Sequence, residues 1–201
     1  MTSKTSICNK VFIKLGIETS INIDTDTSKP ATRIKAVYDD ILLEVLREHN
    51  WNFATYRQSL NADGSITPAY GFSYAYILPT VPQMVKLIET EKDIDYKLEN
   101  NYLLTNETSV NIRFIGKETN PNKYDSIFVD LFATRMAVEI GHALTGDKSL
   151  VASLEQRYLL QLSKAKDKDF QEDNQKPIRS SSFNNSRLVS TDLQPNSFES
   201  I

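Results

Sequence analysis

The chain has one cysteine, Cys8, in 201 residues, so no disulfide can form within it. A fold without such staples suits a reducing compartment, or a protein assembled in one. Glycine is scarce as well. Six residues leave little for a phosphate-cradling loop, and no GxxxxGKS/T, GxGxxG or GxSxG pattern occurs. A basic excess is missing too. Lys and Arg number 23 against 26 Asp and Glu, for a net charge of -3. A protein that grips nucleic-acid phosphates usually shows a surplus of cations, because each contact replaces a counterion. No run approaches the ~20 apolar residues that span a bilayer. Met1-Thr2-Ser3-Lys4-Thr5-Ser6 leads into an amphipathic stretch, without the apolar core of a signal peptide. The chain is therefore expected to be soluble and to carry no cleaved signal. No repeat of solenoid period is found.

The residues that remain suffice for a core. A body of roughly 170 residues buries about two-thirds of its surface and folds without disulfides or metals. Ile7, Val11 and Leu15 recur at helical spacing, with Ser3 as cap and Gly16 as stop, which predicts a helix over 3–15. Residues 17–27, rich in Asn, Asp and Thr, read as a loop. Ser28 and Pro30 open a second helix, to about His49, with Ile34, Val37, Tyr38, Ile41, Leu42 and Val45 on its apolar, half-buried face. From Trp51 to Phe114 the apolar period is often two. Phe72, Tyr74, Tyr76 and Leu78 alternate with smaller or polar neighbours, and Asn100-Asn101 suits a two-residue hairpin turn. Asp125 is expected to cap a third helix, apolar on most sides. Gly146-Asp147 should stop it and start a fourth, over 148–170.

The fold class is thus α+β: a bundle of about four helices with an inserted small antiparallel β region and an extended C-terminal tail. Residues 1–50 and 120–172 form the helical body, 51–119 the β region and 173–201 the tail. The tail is rich in Ser and Asn, yet carries Ile178, Phe183, Leu188, Val189, Leu193 and Phe198 at intervals. Spaced anchors in a polar segment suit a chain that orders along a partner, so these six are candidate contacts with another protein.

Residues that could carry chemistry are few. His49 and His142 fall on different helices without metal-ligand spacing; His49 reads as a polar helix end and His142 as a packed or hydrogen-bonded side chain. Cys8 lies on an apolar face and reads as a buried structural thiol. Paired carboxylates such as Asp39-Asp40, or Glu89 and Glu91, could be proposed as a glycosidase acid and base, but read more simply as charged surface. Trp51, Phe53, Tyr56, Phe72, Tyr74 and Tyr76 could stack on bases or sugars; without a basic surround they read as a core face or a contact between proteins. Phe72, Tyr74 and Tyr76 are the candidate contact residues of the β region. No catalytic, metal or cofactor site is expected.

The order of short motifs carries a resemblance. Ile7-Cys8-Asn9-Lys10 and Lys14-Leu15-Gly16-Ile17 are followed by Ser28-Lys29-Pro30-Ala31, Val37-Tyr38-Asp39 and His49-Asn50-Trp51-Asn52-Phe53-Ala54. Then come Arg57, Leu60, Tyr74-Ala75-Tyr76-Ile77-Leu78-Pro79 and Asp125-Ser126-Ile127-Phe128. Over residues 5–170 the chain resembles the tail tubular protein A family, the head–tail adaptors of short-tailed bacteriophages. It departs at Ser126, where the family has proline, and at Thr80-Val81-Pro82, where an acidic residue is commoner. The resemblance implies a non-enzymatic virion protein: a ring of roughly twelve copies below the portal protein, joined to a downstream tail or nozzle protein. DNA would pass through the ring without specific binding, and no membrane is implied. The β region would point towards the tail, and the C-terminal extension would dock on the portal or a neighbour. A peptidoglycan hydrolase component of the tail and a DNA-binding assembly factor are the alternatives.

Overall fold

The computed structural model describes residues 2–172. Helix α1, Lys4–Lys14, begins in a capping box. The Ser6 backbone N–H donates to Ser3 Oγ at 3.0 Å and the Ser3 N–H donates to Ser6 Oγ at 2.8 Å. The loop after it is tied back by Asn9, whose side chain accepts from the Ile21 N–H at 2.8 Å and donates to the Ile21 carbonyl. That bond seats Ile21 and Ile23 in the core.

Helix α2, Lys29–Glu48, is capped by Ser28 and has Pro30 in its first turn. Its buried face holds Ile34, Tyr38, Ile41, Leu42 and Val45 as expected, with Ala31 and Leu46 added, while Val37 is half-buried. Trp51 fixes the exit. Its indole N–H donates to the Val45 carbonyl at 2.9 Å, and its ring meets Phe128 edge-on at 5.0 Å. An interior indole whose one donor is satisfied contributes its full apolar area without a desolvation penalty.

Six strands follow: β1 (Thr55–Leu60), β2 (Tyr74–Ile77), β3 (Met84–Thr90), β4 (Tyr96–Glu99), β5 (Tyr102–Thr105) and β6 (Val110–Gly116). They form two antiparallel three-stranded sheets, ordered β1-β6-β3 and β2-β5-β4. Tyr76 and Leu103 of the second sheet pack on Leu60, Val110, Ile112 and Phe114 of the first, which makes a small core between them. Ile115, on the opposite face of β6, joins the helical core instead. The alternation along β6 therefore welds the β region to the helices. Asn100 and Asn101 both have positive φ, 45° and 63°, as a type I′ hairpin turn between β4 and β5 requires.

Helix α3, Ser126–Thr145, is the centre of the larger core; Phe128, Leu131, Phe132, Ala133, Met136 and Ala137 are all fully buried. Asp125 stands at its N-cap position but makes no side-chain capping bond, contrary to expectation; its carboxylate accepts from the Ser126 hydroxyl instead. Gly146 ends the helix at φ 70°, and Asp147 accepts from the Ser149 and Leu150 N–H groups to start α4, Lys148–Glu172. Helices and strands up to Phe170 cluster as one compact unit. No described helix is long and apolar enough to cross a membrane.

Candidate interaction surfaces

The expected contact residues of the β region divide. Tyr76 is a correction: it is interior to the two-sheet core, and its hydroxyl donates to the Glu107 carbonyl at 2.8 Å, so no partner can reach it. Phe72 is half-buried and Tyr74 exposed. Around Tyr74 the sheet β2-β5-β4 leaves Ile77, Tyr96 and Leu98 exposed as well. Tyr74 and Tyr96 both pair with Thr105, from opposite sides of β5, so they share one face of the sheet. All four residues of β4 are exposed, and β4 is bonded only to β5. On loops outside the strands, Tyr70 is 89% and Val81 90% exposed. Neither loop residue carried a strand or helix period, so nothing in the sequence pattern marked them. Ile178, Phe183, Leu188, Val189, Leu193 and Phe198 lie outside the described residues.

The chemical candidates are largely occupied. Asp39 pairs with Lys117 at 3.2 Å, Glu89 with Arg113 at 3.1 Å, and Glu91 accepts from Asn111. His49 packs edge-on against Trp51 at 5.1 Å. His142 is exposed, contrary to the packed side chain expected. Cys8 is fully buried, and burial pushes its thiol up to about 12. Among the described residues no group of three or more His, Cys, Asp and Glu could hold a metal ion.

Three polar centres, one buried and two half-buried, hold the elements together. Glu118, after β6, accepts from the Tyr56 hydroxyl at 2.8 Å, the Lys123 ammonium at 2.7 Å and the Asn120 N–H at 2.9 Å. Burial alone would raise its carboxyl; Lys123 and the Asn120 N–H outweigh that and hold it below its ordinary range. A cleft of about 430 Å³ opens beside it, bordered by Val81, Pro82, Lys117 and Lys123.

The second centre is Asp130 of α3. It pairs with Lys14 at 2.8 Å, Lys10 at 3.5 Å and Arg157 at 3.8 Å, and accepts from the Gln161 amide. Lys164 lines the same recess. Burial opposes charge on Asp130, but Lys14 prevails and its pKa falls. Lys14 is also lowered, by burial, with Asp130 acting against the shift. The two shifts disagree about the pair: that of Asp130 favours its charged form, and that of Lys14 opposes its own. The 2.8 Å contact between them is the geometry of an ion pair.

The third centre is Arg135, also of α3, which donates to Glu44 at 2.8 Å and Glu139 at 3.3 Å. Glu48 accepts from the buried Tyr158 hydroxyl beside it, and Glu155 and Leu159 line the same recess. Next to these centres, α4 leaves Leu159 60% and Leu160 65% exposed. The arrangement offers apolar side chains and opposed charges at its surface, which is the chemistry of protein contact. No family model and no curated protein matches the chain.

Proposed function

We propose that this chain is a structural virion protein, one subunit of a head–tail adaptor ring that connects the portal vertex to the tail and lines part of the DNA channel. The observation that carries the reading is the exposed sheet β2-β5-β4. Tyr74, Tyr96 and Leu98 stand exposed on one face of it, on a body whose polar centres are taken up by structural bonds. Apolar side chains that share one exposed sheet face favour association over chemistry. The order of motifs over residues 5–170 supports the same reading, as does the net charge of -3, which suits a channel wall that passes DNA without holding it. Assembly then runs on interface thermodynamics: copies related by a rotation close into a ring when the angle permits. The portal protein, neighbouring copies and a downstream tail or nozzle protein are the partners.

Electron microscopy of the purified chain, alone and mixed with its candidate portal protein, tests the proposal. The expected result is rings on the portal, lost with a chain truncated near Asp173. Monomers that never bind the portal would overturn it.

A further inference from the structure

The second and third polar centres have opposite compositions. Around Arg135 stand four carboxylates, Glu44, Glu48, Glu139 and Glu155. Around Asp130 stand four cations, Lys10, Lys14, Arg157 and Lys164. Helix α4 separates them. At helical spacing, Glu155 and Leu159 fall on one side of its buried stripe, Leu154-Tyr158-Ala165, and Arg157, Gln161 and Lys164 fall on the other. The outward line between, Ala152, Ser153, Gln156, Leu160 and Ser163, is exposed and carries no charge until Asp167, and Lys166 stands beyond Leu159 at the end of the acidic side.

We infer that the acidic flank beside Arg135 docks against the basic flank beside Asp130 of a second copy of this chain, so that the two clusters form the seam between neighbouring subunits. The occupant follows from charge complementarity. Each flank carries the excess charge that the other lacks, and the two flanks lie on opposite sides of one helix. A contact between unlike flanks is head-to-tail, the kind that propagates and closes into a ring, whereas like flanks facing each other would repel. The exposed Leu159, which borders the acidic recess, supplies apolar area at the seam. This inference rests on the ring reading above and names which surfaces of the subunit meet.

The test uses the full chain and two residues whose side chains make no hydrogen bond or ion pair among the described residues, Glu155 and Lys164. Glu155→Lys strips most of the excess acid from one flank, and Lys164→Glu strips most of the excess base from the other. Each variant alone should associate about tenfold or more weakly than wild type, on the portal or free, by mass photometry and negative-stain microscopy. Circular dichroism should be unchanged. An equimolar mixture of the two should recover assembly, because unaltered seams then alternate with seams where the introduced lysine meets the introduced glutamate, and the double variant should recover it alone. Rings from wild type and both single variants alike would overturn the seam and leave the adaptor reading standing. Weakened variants that no mixture rescues would also overturn it, since the clusters would not face each other. Wild-type chains that stay monomeric with and without portal would overturn both.

Discussion

Removing the Asp130 carboxylate would strand the Lys14 ammonium, whose side chain is 7% exposed, without its closest counter-charge. An uncompensated buried charge costs more than the pair contributed. Asp130 itself is 29% exposed, which tempers the loss. Asp130→Ala should therefore destabilise by about 2 kcal/mol, read as a lower urea midpoint with unchanged slope. The pH dependence follows from the direction of the shifts. Asp130 and Glu118 are both held below their ordinary carboxylate values. Their contribution is complete above the unfolded-state values and is lost as pH falls through the lower folded ones. Wild type should lose stability in that acid window, and Glu118→Gln and Asp130→Asn should each flatten the loss in acid melts. Cys8 gives a separate expectation. A fully buried thiol with its pKa pushed up to about 12 presents almost no thiolate at neutral pH. It should resist thiol reagents in the native protein and react at once in denaturant; rapid native labelling would contradict its placement against the helical core.

At the scale of elements, the turn between α3 and α4 isolates a backbone effect. Gly146 sits at φ 70°, and a Cβ there would meet nothing within 4 Å. Gly146→Ala should thus cost about 1 kcal/mol from the left-handed conformation alone, checked by thermal unfolding. If stability is unchanged, the connection relaxes into another geometry. This turn was legible because Gly-Asp does two local jobs, and Asn100-Asn101 was legible for the same reason. Strands were less so. β1 escaped notice because Arg57, Gln58 and Ser59 are exposed along an edge, with only Leu60 fully buried, so no clean alternation marks it. In β2, Ala75 and Tyr76 are both buried while Tyr74 and Ile77 are exposed, which breaks the expected period. Tyr76 packs on the first sheet, and the backbone at Asn61 and Asp63 runs along β2, bonded to Ile77 and Ala75. Burial there is set by a neighbour from elsewhere in the chain, which no window of residues contains.

For the whole molecule, the split into helices, strands and helices could be read from composition because apolar period changes at Trp51 and again near Ser126. The clustered charges could not, since Glu44, Arg135 and Glu155 are brought together only by packing of three helices. Residues 173–201 are different again: their apolar side chains are marked by spacing alone. In the adaptor reading, Phe183, Leu188, Leu193 and Phe198 are buried against the portal or a neighbour, and that burial must exceed the entropy of ordering the segment that carries them. Protease should then cut within 173–201 quickly in the free chain and slowly in the portal complex, at equal protein concentration. Replacing Phe183 and Phe198 with Ser should restore fast cutting in the complex and weaken portal binding together, because one burial supplies both effects. Equal cutting rates in free and portal-bound chain would mean that the tail is no anchor, and the ring would have to hold to the portal through its body alone.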